Sequence, residues 1–478
     1  MKHQPLPIIK IIQVGTVAFL AILAGCEVST EMQWKQVTEL NEQRTGRNLI
    51  WEQTDEDRII INESIETLLE DGLTREEAVS IAILNNRELQ AGFEELGIAA
   101  SDLLQSQLLT NPPLAGFLAL PTNVGNTTAS LLFVISDLWQ IPARKKLFES
   151  LSDIKAQQVT MLIVQTAAEA EMAYDHAVYR EKMLMLAERM QQEKQLIADR
   201  MFVRYRHGLI GELVLERARA DAAQQRIVVR NMQNLLQIAE TRLDVSLSLH
   251  NVAQQVKFTS TLDWMYKSLD DPQKYVDFAM KHRLDILTAN TEVQAAKLAM
   301  EYQKTLLFPS MQAGFAWEGA IQNENTFGPA GSMVVPIFDQ NQAQVAKAMY
   351  VHKQKKKYLQ SLENKTRKQV MDIIYNQNTE QDNLKYLYNQ LNRIIENEVE
   401  YADNWRMKRQ LNMIDWLTAR VMHIMLDQQM VDTIWRLRMQ QVELYQASWG
   451  GMTTEPSPAQ IPVMPADGIV EIDDGPTF

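Results

Sequence analysis

The chain of 478 residues holds one cysteine, Cys26, and its thiol directly follows Leu23-Ala24-Gly25. A single thiol allows no disulfide framework within the chain and no zinc site built from several thiolates. What remains open to Cys26 is chemistry at its own sulfur. Elsewhere the reactive inventory is thin. There is no His-Glu-x-x-His, no phosphate-binding glycine loop and no Gly-x-Ser-x-Gly, and the seven histidines are scattered. The 24 methionines raise the question of Cu(I), which thioethers bind. Met183, Met185 and Met190, however, fall on a helical stretch, where methionine fills irregular gaps in a core. No catalytic residue, metal ligand or cofactor is assigned, and the sequence reads as that of a non-enzyme. A net charge of −13 argues against a nucleic-acid partner. The densest basic run, Lys353, Lys355, Lys356 and Lys357, reads as a solvated helix face.

The setting of Cys26 gives its sulfur a task. Lys2, His3 and Lys10 form a basic start, Ile11–Leu23 is mostly apolar, and small residues follow. That order reads as a signal peptide, too short for a lasting membrane span. Ending in Leu-Ala-Gly-Cys, it resembles a bacterial lipoprotein signal. The resemblance implies cleavage between Gly25 and Cys26, a diacylglycerol on the sulfur and an acyl chain on the new amine. Two or more chains suffice for stable attachment, at about 0.8 kcal/mol per buried methylene. Glu27, where an aspartate often retains lipoproteins in the inner membrane, is compatible with sorting to the outer membrane.

Two carboxylates occupy places where helices should begin. Tyr205-Arg206-His207-Gly208-Leu209-Ile210-Gly211-Glu212 interrupts one long helical stretch, and Arg409-Gln410-Leu411-Asn412-Met413-Ile414-Asp415 interrupts another. Gly208 can take the left-handed conformation that ends a helix. Glu212 and Asp415 then face the positive end of the next helix dipole. Helix capping accounts for either acid alone. In a symmetric assembly each becomes a ring of carboxylates, which selects cations and can hold a gate.

The elements that position these acids are unusually long. Neither Gly nor Pro occurs in 143–207, 212–271 or 337–449. Rich in Ala, Leu, Gln, Glu, Lys and Met, these stretches read as helices far beyond the usual ~11–12 residues. One from Arg144 to Tyr205 would reach roughly 90 Å. The chain also repeats itself. A shift of 197 aligns Val79 with Val276, Ala82 with Ala279, Glu95 with Glu292, Ala99 with Ala296 and Pro112 with Pro309. A shift of 201 aligns Ala218-Arg219 with Ala419-Arg420. Each copy is expected to run short helix (75–86, then 272–282), medium helix (87–110, then 284–307), proline stop, hairpin, and two long helices.

The hairpins are expected at Leu114–Leu120 with Ala129–Ser136, and at Met311–Glu318 with Ala330–Pro336, around polar turns. Met311, Ala313, Phe315 and Trp317 alternate with Gln312, Gly314, Ala316 and Glu318, as a membrane barrel around a watery lumen requires. The first hairpin is more uniformly apolar and shows the alternation poorly. Four strands cannot close a barrel that passes solute, and open edges are forbidden in lipid. Three chains would supply about twelve strands, enough for an open lumen.

Cys26 with its lipobox, the duplicated helix–hairpin–helix layout and the Pro112 and Pro309 stops resemble the TolC-type outer membrane factor family. So do Asp137-Leu138-Trp139-Gln140 and Ile337-Phe338-Asp339-Gln340, which open the long helices, and the Tyr205–Gly208 turn. The resemblance spans about residues 65–449. It implies a mainly α chain with a small β part: a long-helix α-barrel plus a transmembrane β-barrel completed by trimerisation. It implies a homotrimer in the outer membrane of a Gram-negative bacterium that reaches into the periplasm. That trimer would dock a periplasmic membrane-fusion adaptor and an inner-membrane pump, as the passive exit duct of a tripartite efflux or type I secretion system. It also implies that Asp415 contributes to an iris at the periplasmic end. The first-copy equivalent is the apolar Val214, and Arg409 stands where the family usually has glycine, so the gate is expected to be built differently, with Arg409 able to pair with an acid. The expected divisions are a signal peptide 1–25, a lipidated segment 26–64, repeats 65–250 and 251–449, and a flexible tail 450–478. The competing reading is a lipid-anchored periplasmic coiled-coil adaptor or tether without a pore, and the behaviour of the hairpins separates the two.

Overall fold

A computed structural model describes residues 28–117, 127–250, 252–262, 264–265, 269, 271–319, 325–394, 397, 400, 413–448 and 469–470. Cys26, Gly25 and Arg409 lie outside the described residues, as do most of both hairpin turns and most of the tail.

The chain opens with α1 (Glu31–Glu42) and α2 (Asp55–Leu69), followed by α3 (Arg75–Asn85) and α4 (Arg87–Gln107). Local chemistry sets these starts. Thr54 with Asp57 and Thr74 with Glu77 form capping boxes, and the Asn86 side chain accepts from the amides of Glu88 and Leu89. After Pro112 and Pro113 come β1 (Leu114–Phe117) and β2 (Thr127–Val134), then α5 (Asp137–Arg206) and α6 (Glu212–Leu247). The second copy follows a short strand β3 (Trp264–Met265). It comprises α7 (Pro272–His282), α8 (Leu284–Thr305), β4 (Met311–Gly319), β5 (Thr326–Met333) and α9 (Gln342–Tyr386). Then come a π-helical segment (Leu387–Asn392), α10 (Met413–Ser448) and β6 (Ile469–Val470), which pairs with β3.

Duplication is visible in the backbone. The single residue that separates α3 from α4, Asn86, has φ −61 and ψ 120, and its counterpart 197 positions on, Arg283, has φ −64 and ψ 124. The two copies differ where the long helices begin. Asp137–Gln140 lies within α5, whose second turn also accommodates Pro142. Ile337–Gln340 precedes α9 instead. There Asp339 accepts from the Asn341 amide, Asn341 turns left-handed (φ 60), and its side chain donates to the Gln303 carbonyl. The second strands also begin earlier than their apolar residues suggest, at Thr127 and Thr326, because backbone pairing extends into the polar flanks.

At 1.5 Å per residue the 70 residues of α5 span roughly 105 Å. It is the spine of the protomer, packing on α1, α3, α4, α6, α8 and α10. Its middle, Ile163 to Val178, buries five alanines among larger residues, so neighbouring helices approach closely. Met190 lies in this core and Met183 and Met185 pack against it. The N-terminal segment is stitched to both copies. Gln33 and Gln36 of α1 donate to Ser152 and Asp153 of α5, while Arg44 donates to the His282 carbonyl and accepts from the Tyr445 hydroxyl at its own.

Candidate channel wall and bend region

The four main strands form one antiparallel sheet in the order β1-β2-β4-β5, so the two hairpins join through β2 and β4. Register sorts their side chains onto two faces. Leu114, Leu131, Phe315 and Pro329 lie opposite one another across the sheet, and two residues along run Gly116, Ala129, Trp317 and Phe327. Phe315 stacks on Phe327 with ring centres 5.4 Å apart. Phe133 lies on the same face, two positions the other way. The intervening row reads Ala115, Ser130, Ala316 and Gly328, and beyond it Phe117, Thr128, Glu318 and Thr326. One face is therefore mostly apolar and the other mostly small or polar, with Phe117, Leu132 and Val134 of the first hairpin as its apolar exceptions. The large apolar side chains are uncovered: Leu114, Phe133, Phe315 and Phe327 are each more than half exposed.

Burying such a face in water would need a packed partner layer, and among the described residues nothing covers it. In lipid it is already satisfied. The strands approach closely at Gly314, where a Cβ would collide with the Leu131 carbonyl. Strands β1 and β5 each pair on one side only among the described residues, leaving two rows of backbone donors and acceptors open. No described helix is long and apolar enough to cross a membrane.

At the opposite end of α5 lies the first bend. Leu209 donates its amide to the Arg204 carbonyl at 2.9 Å and Gly208 donates to Tyr205 at 2.8 Å, with Gly208 at φ 68. These paired bonds satisfy the last carbonyls of the helix and require a left-handed residue. Gly211 then starts α6 with no side-chain cap, and Glu212 is its first residue. Asp415 sits in the first turn of α10. Glu212 and Asp415 are both exposed, as are Gly208 and Gly211.

Sequence reasoning missed a charged tie near these bends. Arg420 of α10 reaches Glu193 of α5 at 2.7 Å and lies over the Trp416 ring. Burial raises the Glu193 carboxyl above the usual range, against the pull of Arg420. The repeat did mark Arg420 as the partner of Arg219, but Arg219 pairs within its own helix with Glu216. Midway along the helices a second buried network escaped notice. Asp175, fully buried, accepts from Arg75 at 2.6 Å and from Arg438 at 3.2 Å, and Arg438 also binds Glu171. Burial opposes the Arg75 charge, yet Asp175 holds that guanidinium above its ordinary value. Close by, Tyr179 stacks on Trp435 and donates to Asp432, with burial first and Asp432 second pushing its hydroxyl up to about 12. Among the described residues no group of three or more His, Cys, Asp or Glu is placed to hold a metal ion. These charges bind helix to helix across the two copies.

This protomer fold is shared with solved structures. A membrane protein from Pseudomonas aeruginosa matches 78% of this chain and 92% of its own length, with a TM-score of 0.65 at 14% identity. The Campylobacter jejuni CmeC outer membrane channel matches 86% of this chain and 92% of its own, with a TM-score of 0.65 at 15% identity. The Neisseria gonorrhoeae MtrE outer membrane channel, in its open state, matches 79% and 89%, with a TM-score of 0.62 at 15% identity. No family model matches the sequence, and no curated protein matches it. The likeness is therefore one of fold: long paired helices, internally duplicated, carrying one small four-stranded sheet.

Proposed function

We propose that this chain is one third of an outer-membrane exit duct of the TolC type. The observation that carries the reading is the sheet, mostly apolar on one face, mostly small or polar on the other, and open at both edges among the described residues. Lipid forbids open edges, so β5 of one copy pairs with β1 of the next, and three copies close a twelve-stranded barrel. The helices of the three copies continue that wall as a tube through the periplasm. There is no reaction step. A pump in the inner membrane supplies the energy, a periplasmic adaptor couples it, and the duct conducts.

The first bend lies at the end of α5 farthest from the sheet, and Asp415 opens α10, whose Arg420 meets Glu193 of α5; in this reading both belong to the periplasmic mouth. Three copies of Asp415 there form an acidic ring, with Glu212, Gly208 and Gly211 shaping the neighbouring turn and Arg409 available to pair with an acid. A cysteine acylated at position 26 suits the same orientation. Thr30 lies beside Gly97 of α4, which is ten residues, or about 15 Å, short of the sheet end of that helix. The described chain thus begins toward the sheet end of α4, which supports an anchor on the membrane side.

The experiment is single-channel recording on the purified, acylated protein, together with its assembled mass. A trimer whose conductance rises in Asp415→Ala is the expected result. A monomer that stays in water once deacylated, with protease-sensitive hairpins and no conductance, returns the reading to a tether.

A further inference from the structure

The sheet and the helices meet at a rim of exposed apolar side chains, among them Leu109, Leu138, Phe308, Val335, Ile337 and Phe338. On the helical side of this rim, between α5 and α8, lies a cavity of about 220 Å³ lined by Trp139, Pro142, Ala143, Lys146, Leu298 and Glu301. Lys146 and Glu301 bring opposite charges to it, and neither has an ion-pair or hydrogen-bond partner among the described residues.

Two relationships fix where the cavity opens. Helix α5 follows β2 and α8 leads into β4, the two central strands, so the groove lies mid-protomer and clear of the open edges. Trp139, Lys146 and Asp153 recur at intervals of seven on α5, along one side of the helix. Asp153 is where Gln36 of α1 docks, at 3.3 Å. The cavity therefore opens on the side of α5 that carries the N-terminal helix, the side from which an anchor on Cys26 would reach lipid and not the lumen.

We propose that this groove seats the head group of a phospholipid from the periplasm-facing leaflet, of the class that carries both a phosphate and a primary ammonium. The inference rests on the sheet being membrane-embedded. The Lys146 ammonium takes the phosphate oxygens and the Glu301 carboxylate takes the lipid ammonium. The Trp139 ring sits where head group gives way to acyl chain, as interfacial tryptophans do. The acyl chains run up the rim past Leu138 and Phe338. An anionic lipid without an amine satisfies Lys146 but sets its charge against Glu301. A quaternary ammonium offers Glu301 no N–H to accept.

The test uses the full-length acylated protein, stripped of lipid in detergent. It is then supplied with phosphatidylethanolamine, phosphatidylglycerol or phosphatidylcholine of identical acyl chains, and bound lipid is counted by native mass spectrometry. The ethanolamine lipid is expected to be retained at least about fivefold over the others, a difference near 1 kcal/mol. That preference should vanish in Lys146→Glu and in Glu301→Lys and return when both changes are combined. Both side chains are exposed, so the variants should fold, which circular dichroism and trimer mass verify. Soluble phosphoethanolamine should compete weakly, and competition as strong as the lipid's overturns the assignment to a membrane lipid. Equal retention of the three lipids, or a preference the variants leave untouched, overturns the proposal while the duct reading stands. A protein that stays soluble without detergent and takes up no lipid overturns both.

Discussion

Arg420 of α10 grips Glu193 of α5 at 2.7 Å, across 227 positions of sequence, and this contact joins the helix after the second bend to the helix before the first. The Glu193 side chain is only 7% exposed, whereas Arg420 is 45% exposed. The pair is asymmetric: the acid has lost its water and the base has not.

Removing the base should therefore hurt more than removing the acid. Arg420→Ala leaves a buried acceptor without its donor, at a cost of about 1–3 kcal/mol. The solvent reaching Arg420 keeps the value toward the low end. Glu193→Gln should recover part of the loss when combined with it. A double-mutant cycle on thermal unfolding measures the coupling, and strictly additive losses would refute the tie.

The two glycines of the first bend should respond in opposite directions. Gly208 has φ 68 with open space around its missing Cβ, so Gly208→Ala pays only for backbone strain, about 1–2 kcal/mol. Gly211 is an extended N-cap without a side-chain bond, so Gly211→Ser should stabilise slightly, by up to about 0.5 kcal/mol. Melting temperatures of the two variants check the contrast; equal effects would mean the bend is not held by its backbone.

Charge on the sheet should be tolerated by face. Phe315→Lys places an ammonium on the apolar face, at about 2–4 kcal/mol near the bilayer midplane. Ala316→Lys, its neighbour, points to the other face and should leave assembly intact while shifting ion selectivity toward anions. Heat-resistant trimer on a gel reads the first effect and reversal potential the second. If both variants assemble equally well, the two faces do not divide lipid from lumen.

His176 should make the helical part acid-sensitive. Its Nε2 accepts from Arg180 at 3.1 Å, which requires a neutral ring, and burial, then Arg180 and Arg242, lower its pKa from 6.5 to about 4. The unfolded chain binds this proton more readily than the folded one. The contribution is thus complete above about pH 6.5 and is lost as pH falls through about 4. Melting temperature should decline across that window, and His176→Phe, which keeps the ring beside Tyr179 and Trp435, should flatten the decline. An unchanged slope in the variant would assign the acid response to other groups.

Much of the architecture is legible in the sequence. The absence of Gly and Pro marked α5 and α9 but overran α6, which ends at Leu247 with Ser248 left-handed inside the stretch 212–271, so a helix can end without either residue. Pro112 and Pro309 follow the ends of α4 and α8, at Gln107 and Thr305, by about one turn. The shift of 197 carried over from sequence to backbone at Asn86 and Arg283, since a one-residue bend depends on its neighbours only. Gly208 was readable as a left-handed cap because helix termination is decided within five residues.

What spacing could not decide is everything that depends on pairing across the copies. Leu131, Leu132, Phe133 and Val134 are consecutive apolar residues with no alternation to read. Their faces are assigned only when β2 takes its register on β4 and sets Leu131 against Phe315. The partners of Arg420, Arg438 and Asp175 are likewise separated by one to two hundred residues or more. Helix period and capping are short-range properties carried by the chain itself, whereas register and buried ion pairs come into being only when distant segments are packed together.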